Sequence, residues 1–335
     1  MNLAAGCDIE GVRDSPDVEP EFRSVADGIE MLDTGMAGQR ELNAVYLLPG
    51  DEPTLVEAGP EADAATVVGA LERRGLGPAD LAHVVVTHIH LDHGGAAGSL
   101  LRRFTGADVW VHERGAAHLE DPTRLVASTA RTYGQERMRR FFGVPLRVDP
   151  ARIRTVRDGD PIPLGSRGLT ALHTPGHASH HLAFADDRTG AVFTGEAVGS
   201  HLPWVDVYRP ALPPPEVDVE AALGSITAIR DRAELLLTSH FGPIDDAASG
   251  CDRATERIHA WSDTVRRLSE GGEDLEVITA ALREQAAAEH LADAGVPIDL
   301  ARYDALGSIA MNAAGLERYW RKRREADDLE GPQPS

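Results

Sequence analysis

Residues Val84–Gly95, VVVTHIHLDHGG, set three histidines and an aspartate into six positions directly behind a run of valines. The valines read as a buried strand, so His88, His90, Asp92 and His93 fall where a core runs out. Ionisable groups at the edge of a core are costly unless they are paired or hold a cation. His88 and His90 alternate with Ile89, so on an extended backbone both rings project to one side. Asp92 and His93 lie just beyond, where Gly94 and Gly95 let the chain turn tightly into a helix. Neutral imidazoles with a carboxylate suit zinc, and iron or manganese less selectively. One such stretch cannot complete two coordination shells, so the fold must bring further ligands to the same edge.

Three residues fit that requirement. His177 in HTPGHASHH follows a strand-like run and a Pro-Gly turn, Glu196 in VFTGEA closes an apolar strand, and His240 in LLLTSHFGP closes another. Each polar group follows a hydrophobic run, which places all of them at one edge of a sheet layer. His83, His112, His118, His259 and His290 lack that context and read as ordinary surface or core residues.

The pattern along the chain supports one mixed domain. Residues 1–24 are polar, acidic and Pro-containing, a loose lead-in. From 25 to 250, short apolar runs alternate with amphipathic stretches. LLPGDEPTL signals a hairpin, EADAATVVGALERRGL a helix stopped at Gly75 or Gly77, and LAHVVVTH, ADVWVHE, LTALHTPGH, HHLAFAD, GAVFTGE and AELLLTSHFG strands. Residues 122–142 interrupt the alternation as a helical insertion, and PWVDVYRPALPPPEVD reads as a Pro-rich loop, neither strand nor helix. From 251 to 325 the chain turns all-helical, with apolar stripes at Ile258, Trp261, Val265 and Leu268 and at Leu275, Ile278 and Leu282. Residues 326–335 read as a disordered tail.

At 335 residues and 42% hydrophobic composition the chain can bury a sizeable core. Its formal charge of −21 repels nucleic-acid phosphate and anionic membranes, which argues against both as partners and leaves a small molecule. Lys322 is the single lysine. Such an acidic, lysine-poor composition fits either a salt-accumulating cytoplasm or an arginine-rich codon bias. Two cysteines, Cys7 and Cys251, cannot build a disulfide framework. No apolar run reaches membrane-span length, and LAAGC at 3–7 lacks the basic and apolar regions of a lipoprotein signal. A cytoplasmic location is expected, and a homodimer is left open.

THIHLDHGG, TPGH, TGE and SH, in this order over about residues 25–245, resemble the metallo-β-lactamase superfamily of hydrolases. The resemblance implies an α/β fold, a four-layer αββα sandwich with the metal site at one sheet edge and here a C-terminal all-helical appendage. It implies two divalent ions, zinc before iron or manganese, with His88, His90 and His177 on one and Asp92, His93 and His240 on the other. Glu196 stands where the family usually has a bridging aspartate, and Glu57 in LVEAG where it usually has a supporting one. Asp92 would also orient the nucleophile. Tyr208 would donate to the oxyanion or leaving group. His180 and His181 would contact substrate or play a structural part.

The tail MNAAGLERYWRKRR is similar to the helical region of glyoxalase II-like hydrolases, where it borders the substrate cleft; Arg209 and the tail arginines would then meet an anionic substrate. The activity so implied is hydrolysis of a thioester, lactone or ester of a small anionic metabolite. The alternatives are a phosphodiesterase of the RNase Z type, a mononuclear iron persulfide dioxygenase, a non-catalytic binding protein and, last, a β-lactamase proper.

Overall fold

The computed structural model describes residues 19–304 and 308–330. Two sheets face each other. The first runs, in spatial and chain order, β1 (Arg23–Ala26), β2 (Ile29–Asp33), β3 (Ala44–Leu48), β4 (Thr54–Val56), β5 (His83–Val85), β6 (Asp108–His112) and β7 (Ile153–Val156). Its β1–β4 half is antiparallel and its β4–β7 half parallel. The parallel joins need crossovers, supplied by α1 (Ala64–Arg73) and α2 (Ala97–Arg103) with α3 (Glu113–Glu120).

The second sheet is built from β8 (Pro161–Leu164), β9 (Arg167–His173), β10 (Leu182–Asp186) and β11 (Ala191–Gly195), then β14 (Leu235–Thr238) and β15 (Gly242–Ile244). β11 and β14 are parallel neighbours joined through α6 (Val219–Arg230). Between them in the chain lies a small ribbon, β12 (Ser200–Leu202) paired with β13 (Val207–Arg209).

Strand alternation divides the core into layers. Val85, Tyr46, Phe184 and Phe193 fill the space between the sheets, with the Tyr46 and Phe193 rings edge-to-face at 5.4 Å. Val84 and Val86 point the other way, under α1 and α2. On the far side, Leu172, Val192 and Leu236 of the second sheet pack with α6 and the C-terminal helices α7 (Ala247–Glu270), α8 (Leu275–Ala294) and α10 (Ile309–Glu330), which follows the short α9 (Leu300–Tyr303). The layers are therefore helix, sheet, sheet, helix. The C-terminal helices share one apolar cluster with the sheet, Trp261 being wholly buried in it.

Four local readings differ from the sequence expectation. Residues 1–18 of the lead-in lie outside the described residues, but Arg23 and Ser24 already belong to β1. The insertion is two helices, α4 (Thr123–Tyr133) and α5 (Gln135–Phe141), broken at Gly134 with φ 83°. The Pro-rich segment holds β13, because Val207, Tyr208 and Arg209 lie between Pro203 and Pro210 and pair with β12. The expected disordered tail begins too early at 326, since α10 continues to Glu330; residues 331–335 lie outside the described residues.

Candidate metal centre

The β5 ladder ends at Val85, so His88 and His90 sit on the loop beyond the strand rather than on its end. That loop closes on itself: the His93 and Gly94 amides donate to the His90 carbonyl at 3.0 and 2.9 Å. Glycine is required at 95, where a Cβ would collide with the Leu91 carbonyl oxygen. From the opposing sheet, His177 follows β9, Glu196 follows β11 and His240 follows β14. Loops at the ends of strands from both sheets thus converge, and the buried scaffold fixes their relative positions.

Two groups of donor atoms result: His88, His90, His177 and Glu196, and Asp92, His93 and His240. In the first, His88 Nε2 and His177 Nε2 lie 3.0 and 2.9 Å from His90 Nδ1, and His177 Nε2 is 2.9 Å from Glu196 Oε2. In the second, His240 Nε2 is 3.2 Å from His93 Nε2 and 3.6 Å from Asp92 Oδ2. Four-coordinate zinc with ligands at about 2.0–2.1 Å places them about 3.3 Å apart, so these spacings match donors converging on a shared cation. Glu196 faces both groups. Its Oε2 is 3.5 Å from His88 and 3.6 Å from His93, and its Oε1 is 3.9 Å from His240.

Protonation fits the same role. Burial pushes His88 well below the usual imidazole range, the neighbouring His93 and His90 adding to it, and burial with His177 takes His90 down to about 3. Burial also acts downward on His93 and His177, but Asp92 and Glu57 raise the first and Glu196 the second. A bound cation would take the place of those protons, since ligands must be deprotonated to bind.

The outer nitrogens of His88, His93, His177 and His240 are engaged, which fixes those tautomers. His177 Nδ1 donates to the Ala211 carbonyl at 2.8 Å and His240 Nδ1 to the Leu42 carbonyl at 2.7 Å. Glu57, only 1% exposed, joins two ligand loops: Oε1 accepts from Thr87 Oγ1 at 2.6 Å and His93 Nδ1 at 3.1 Å on one and from Ser239 Oγ at 2.9 Å on the other. His88 Nδ1 donates in turn to Thr87 Oγ1 at 3.0 Å. One carboxylate thereby sets the tautomers of ligands in both groups.

The remaining predicted residues divide. His181 is fully buried and its Nε2 accepts from the Glu196 amide at 3.1 Å, so it positions the carboxylate-bearing backbone. His180 accepts from the Ile89 amide at 3.3 Å and also lines the cleft; burial lowers its pKa to about 4. Arg209 lines the cleft as well. Tyr208 does not. It neighbours Arg209 on a strand and points to the opposite side, where its hydroxyl lies near Gly250 of α7 and Arg253 lies 4.5 Å from its ring centroid. The tail arginines also miss the cleft: Arg321 pairs with Glu317, Arg323 with Glu220, and Arg324 donates to Ser269. Among the described residues of α10, Met311 and Asn312 reach it.

The cleft itself encloses about 420 Å³ beside the donor groups. Leu125, Ser128, Thr129, Thr132 and Tyr133 of α4 form one wall at helical spacing. Arg114, His118 and Arg124 also line it, Arg114 and Arg124 being exposed and His118 half-buried. The sequence reading also missed Tyr133. The spacing of the α4 residues could have shown that one face is shared, but not that it faces the metal ligands.

The family profile described as the metallo-beta-lactamase superfamily matches residues 37–240. The chain belongs to that superfamily. Among its relatives is the metallo-beta-lactamase fold-containing protein ST1585 of Sulfurisphaera tokodaii, 24% identical over 53% of this chain and 69% of that one. Another is the acyl-coenzyme A thioesterase MBLAC2 of Gallus gallus, 33% identical over 39% of this chain and 47% of that protein. The chain thus spans under half of the latter. The solved structure of the metallo-beta-lactamase family protein TTHA1429 from Thermus thermophilus aligns with TM-score 0.63 and 22% identity, covering 90% of this chain and 95% of the other. That coverage extends the shared fold into the C-terminal helices. Members of the superfamily are metal-dependent hydrolases, and the donor groups here fit divalent metal.

Proposed function

We propose that this superfamily hydrolase cleaves thioesters of small anionic metabolites, using two divalent ions, zinc first, at the paired donor groups. One observation carries the reading: a single cleft runs from Asp92, His177 and Glu196 to a basic mouth at Arg114, His118 and Arg124, in a chain whose overall charge is −21. Neither mouth arginine forms an ion pair among the described residues: Arg114 donates to the Ser179 carbonyl at 3.4 Å and helps keep Glu216, an acid of the same lining, ionised, which leaves Arg114 and Arg124 in excess over it. A local positive mouth on an acidic protein steers and holds an anion, and a phosphate-bearing thiol such as coenzyme A offers one. The name of the chicken relative is compatible with this.

Divalent ions held there would supply Lewis acidity and an activated water near neutral pH. The protein's own residues do the rest. Asp92, ionised and 8% exposed at the cleft floor, accepts a hydrogen bond from the attacking water and orients it. His180 fixes Ile89, and with it the spacing of His88 and His90. Leu91, Leu125, Phe142 and Pro213 wall the cleft with apolar surface that excludes bulk water from the acyl group. Arg114 and Arg124 hold the leaving thiol's phosphates. Two separate donor groups weigh against a mononuclear dioxygenase.

The test is a panel on metal-loaded protein: acyl-coenzyme A thioesters, a lactone, a simple ester and bis(p-nitrophenyl) phosphate, with Asp92→Asn as control. Thioester turnover lost in D92N supports the reading. Turnover of the phosphodiester alone overturns it.

A further inference from the structure

The cleft lining also includes Ser200, Arg209, Met311 and Tyr133. Arg209 is 4% exposed and Ser200 2%. Two guanidinium nitrogens are used, Nη1 on the Tyr303 carbonyl and Nη2 on Ser200 Oγ at 3.3 Å, while Nε is buried without a partner among the described residues. None of its described contacts is a carboxylate; the Tyr303 ring lies 5.5 Å from it. A buried cation with no counter-ion is expensive, and this one lines a cavity that opens beside the metal ligands. The planar guanidinium matches a carboxylate group. The Tyr133 hydroxyl adds a neutral donor that meets no described residue, its ring packed on Phe142 at 5.2 Å.

We infer that Arg209, Ser200 and Tyr133 form a carboxylate-reading subsite, so that the preferred acyl group is a short dicarboxylic acid bound through its free carboxylate. This deepens the thioesterase reading and rests on it for the word acyl. The exposed arginines at the mouth take the thiol's phosphates, and the buried one takes the acid end, with the scissile bond between them over the donor groups.

The experiment compares the succinyl and butyryl thioesters of coenzyme A, which differ by the carboxylate, on metal-loaded full-length protein, with Arg209→Gln, Arg209→Lys and Tyr133→Phe. Succinate and inorganic phosphate binding are measured by titration calorimetry on the same samples. The subsite predicts that R209Q lowers the succinyl-to-butyryl ratio of kcat/KM at least tenfold, chiefly through KM, that R209K restores part of it, and that succinate binding falls in parallel. Y133F lowers the ratio by a smaller factor and guards against misfolding of the arginine variants. An unchanged ratio in R209Q and Y133F, Arg209-independent succinate binding, or Arg209-dependent binding of phosphate but not succinate overturns the inference. If no thioester is turned over while succinate still binds through Arg209, the subsite stands and the thioesterase reading falls.

Discussion

Replacing Glu57 by glutamine tests whether one buried carboxylate organises the donor groups. Oε1 receives three donors, from Thr87, Ser239 and His93, while Oε2 faces only the Thr87 amide at 3.3 Å. Glutamine would therefore turn its carbonyl oxygen toward the three donors and set its NH₂ against the Thr87 amide. The substitution keeps the shape, loses the charge and leaves one amide facing another donor. Hydrogen bonds to a charged group contribute about 1.5–3 kcal/mol each and do not add simply, so a net stability loss of about 1–2 kcal/mol is expected. The larger effect falls on metal affinity, where loss of a supporting partner costs about 10–100-fold. The loss should concentrate on Asp92, His93 and His240, because Glu57 bonds His93 directly and Ser239 precedes His240. Metal content after equilibration against graded chelator reads this, and on the proposed two-ion site E57Q should release its second equivalent at least tenfold more readily. Retention of both equivalents at wild-type chelator concentrations would refute Glu57 as the organising group.

Tyr208→Phe should leave kcat/KM within about twofold, since the hydroxyl packs by α7; a tenfold fall would return Tyr208 to the site. Burial raises Asp63 to about 7, only partly offset by Thr34 Oγ1 donating at 3.0 Å. Its folded pKa lies above the unfolded one, so its contribution is fully present below about pH 4 and is lost as pH rises through about 7. Asp63→Asn should therefore gain on wild type between pH 5 and pH 8 in urea unfolding, and a constant difference would remove the effect. Trp261→Ala, at a wholly buried position, should cost about 3–5 kcal/mol. The loss should appear in one cooperative transition because the C-terminal helices share the sheet's core, whereas a separate early transition would make them an independent unit.

Most of the scaffold was legible because apolar period marks strands and helices directly. The donor set was legible for a further reason: each ligand follows a hydrophobic run, and strand ends of a packed sandwich share an edge. What stayed hidden depends on side-chain direction and on packing between distant segments. Nothing local tells Tyr208 from Arg209, because adjacent strand residues face opposite ways and the strand itself lay next to prolines. The basic mouth joins Arg114 and His118 of α3 to Arg124 of α4, residues that look like ordinary solvated arginines and a lone histidine. The tail arginines carried a stronger sequence signal, yet they pair locally on α10 and with neighbouring helices.

Glu57 and the backbone that carries Glu196 meet at one residue, Thr87. Gly195, with φ 52°, is held so closely that a Cβ would lie 2.6 Å from His181 Nε2 and 2.7 Å from Thr87 Oγ1. The backbone before Glu196 is thus pressed against Thr87, and His181 fixes the Glu196 amide. Thr87 donates to Glu57 and accepts from His88, so the hydroxyl bordering the Glu196 backbone also sets a ligand's tautomer. A longer carboxylate at 57 reaches that hydroxyl from a left-handed position, φ 67°, that an extended strand end would not offer. The extra methylene at 196 carries the carboxylate from this tightly packed turn to a point facing both donor groups. Shortening Glu57 alone would therefore withdraw a partner from Thr87, the side chain against which the backbone before Glu196 is packed.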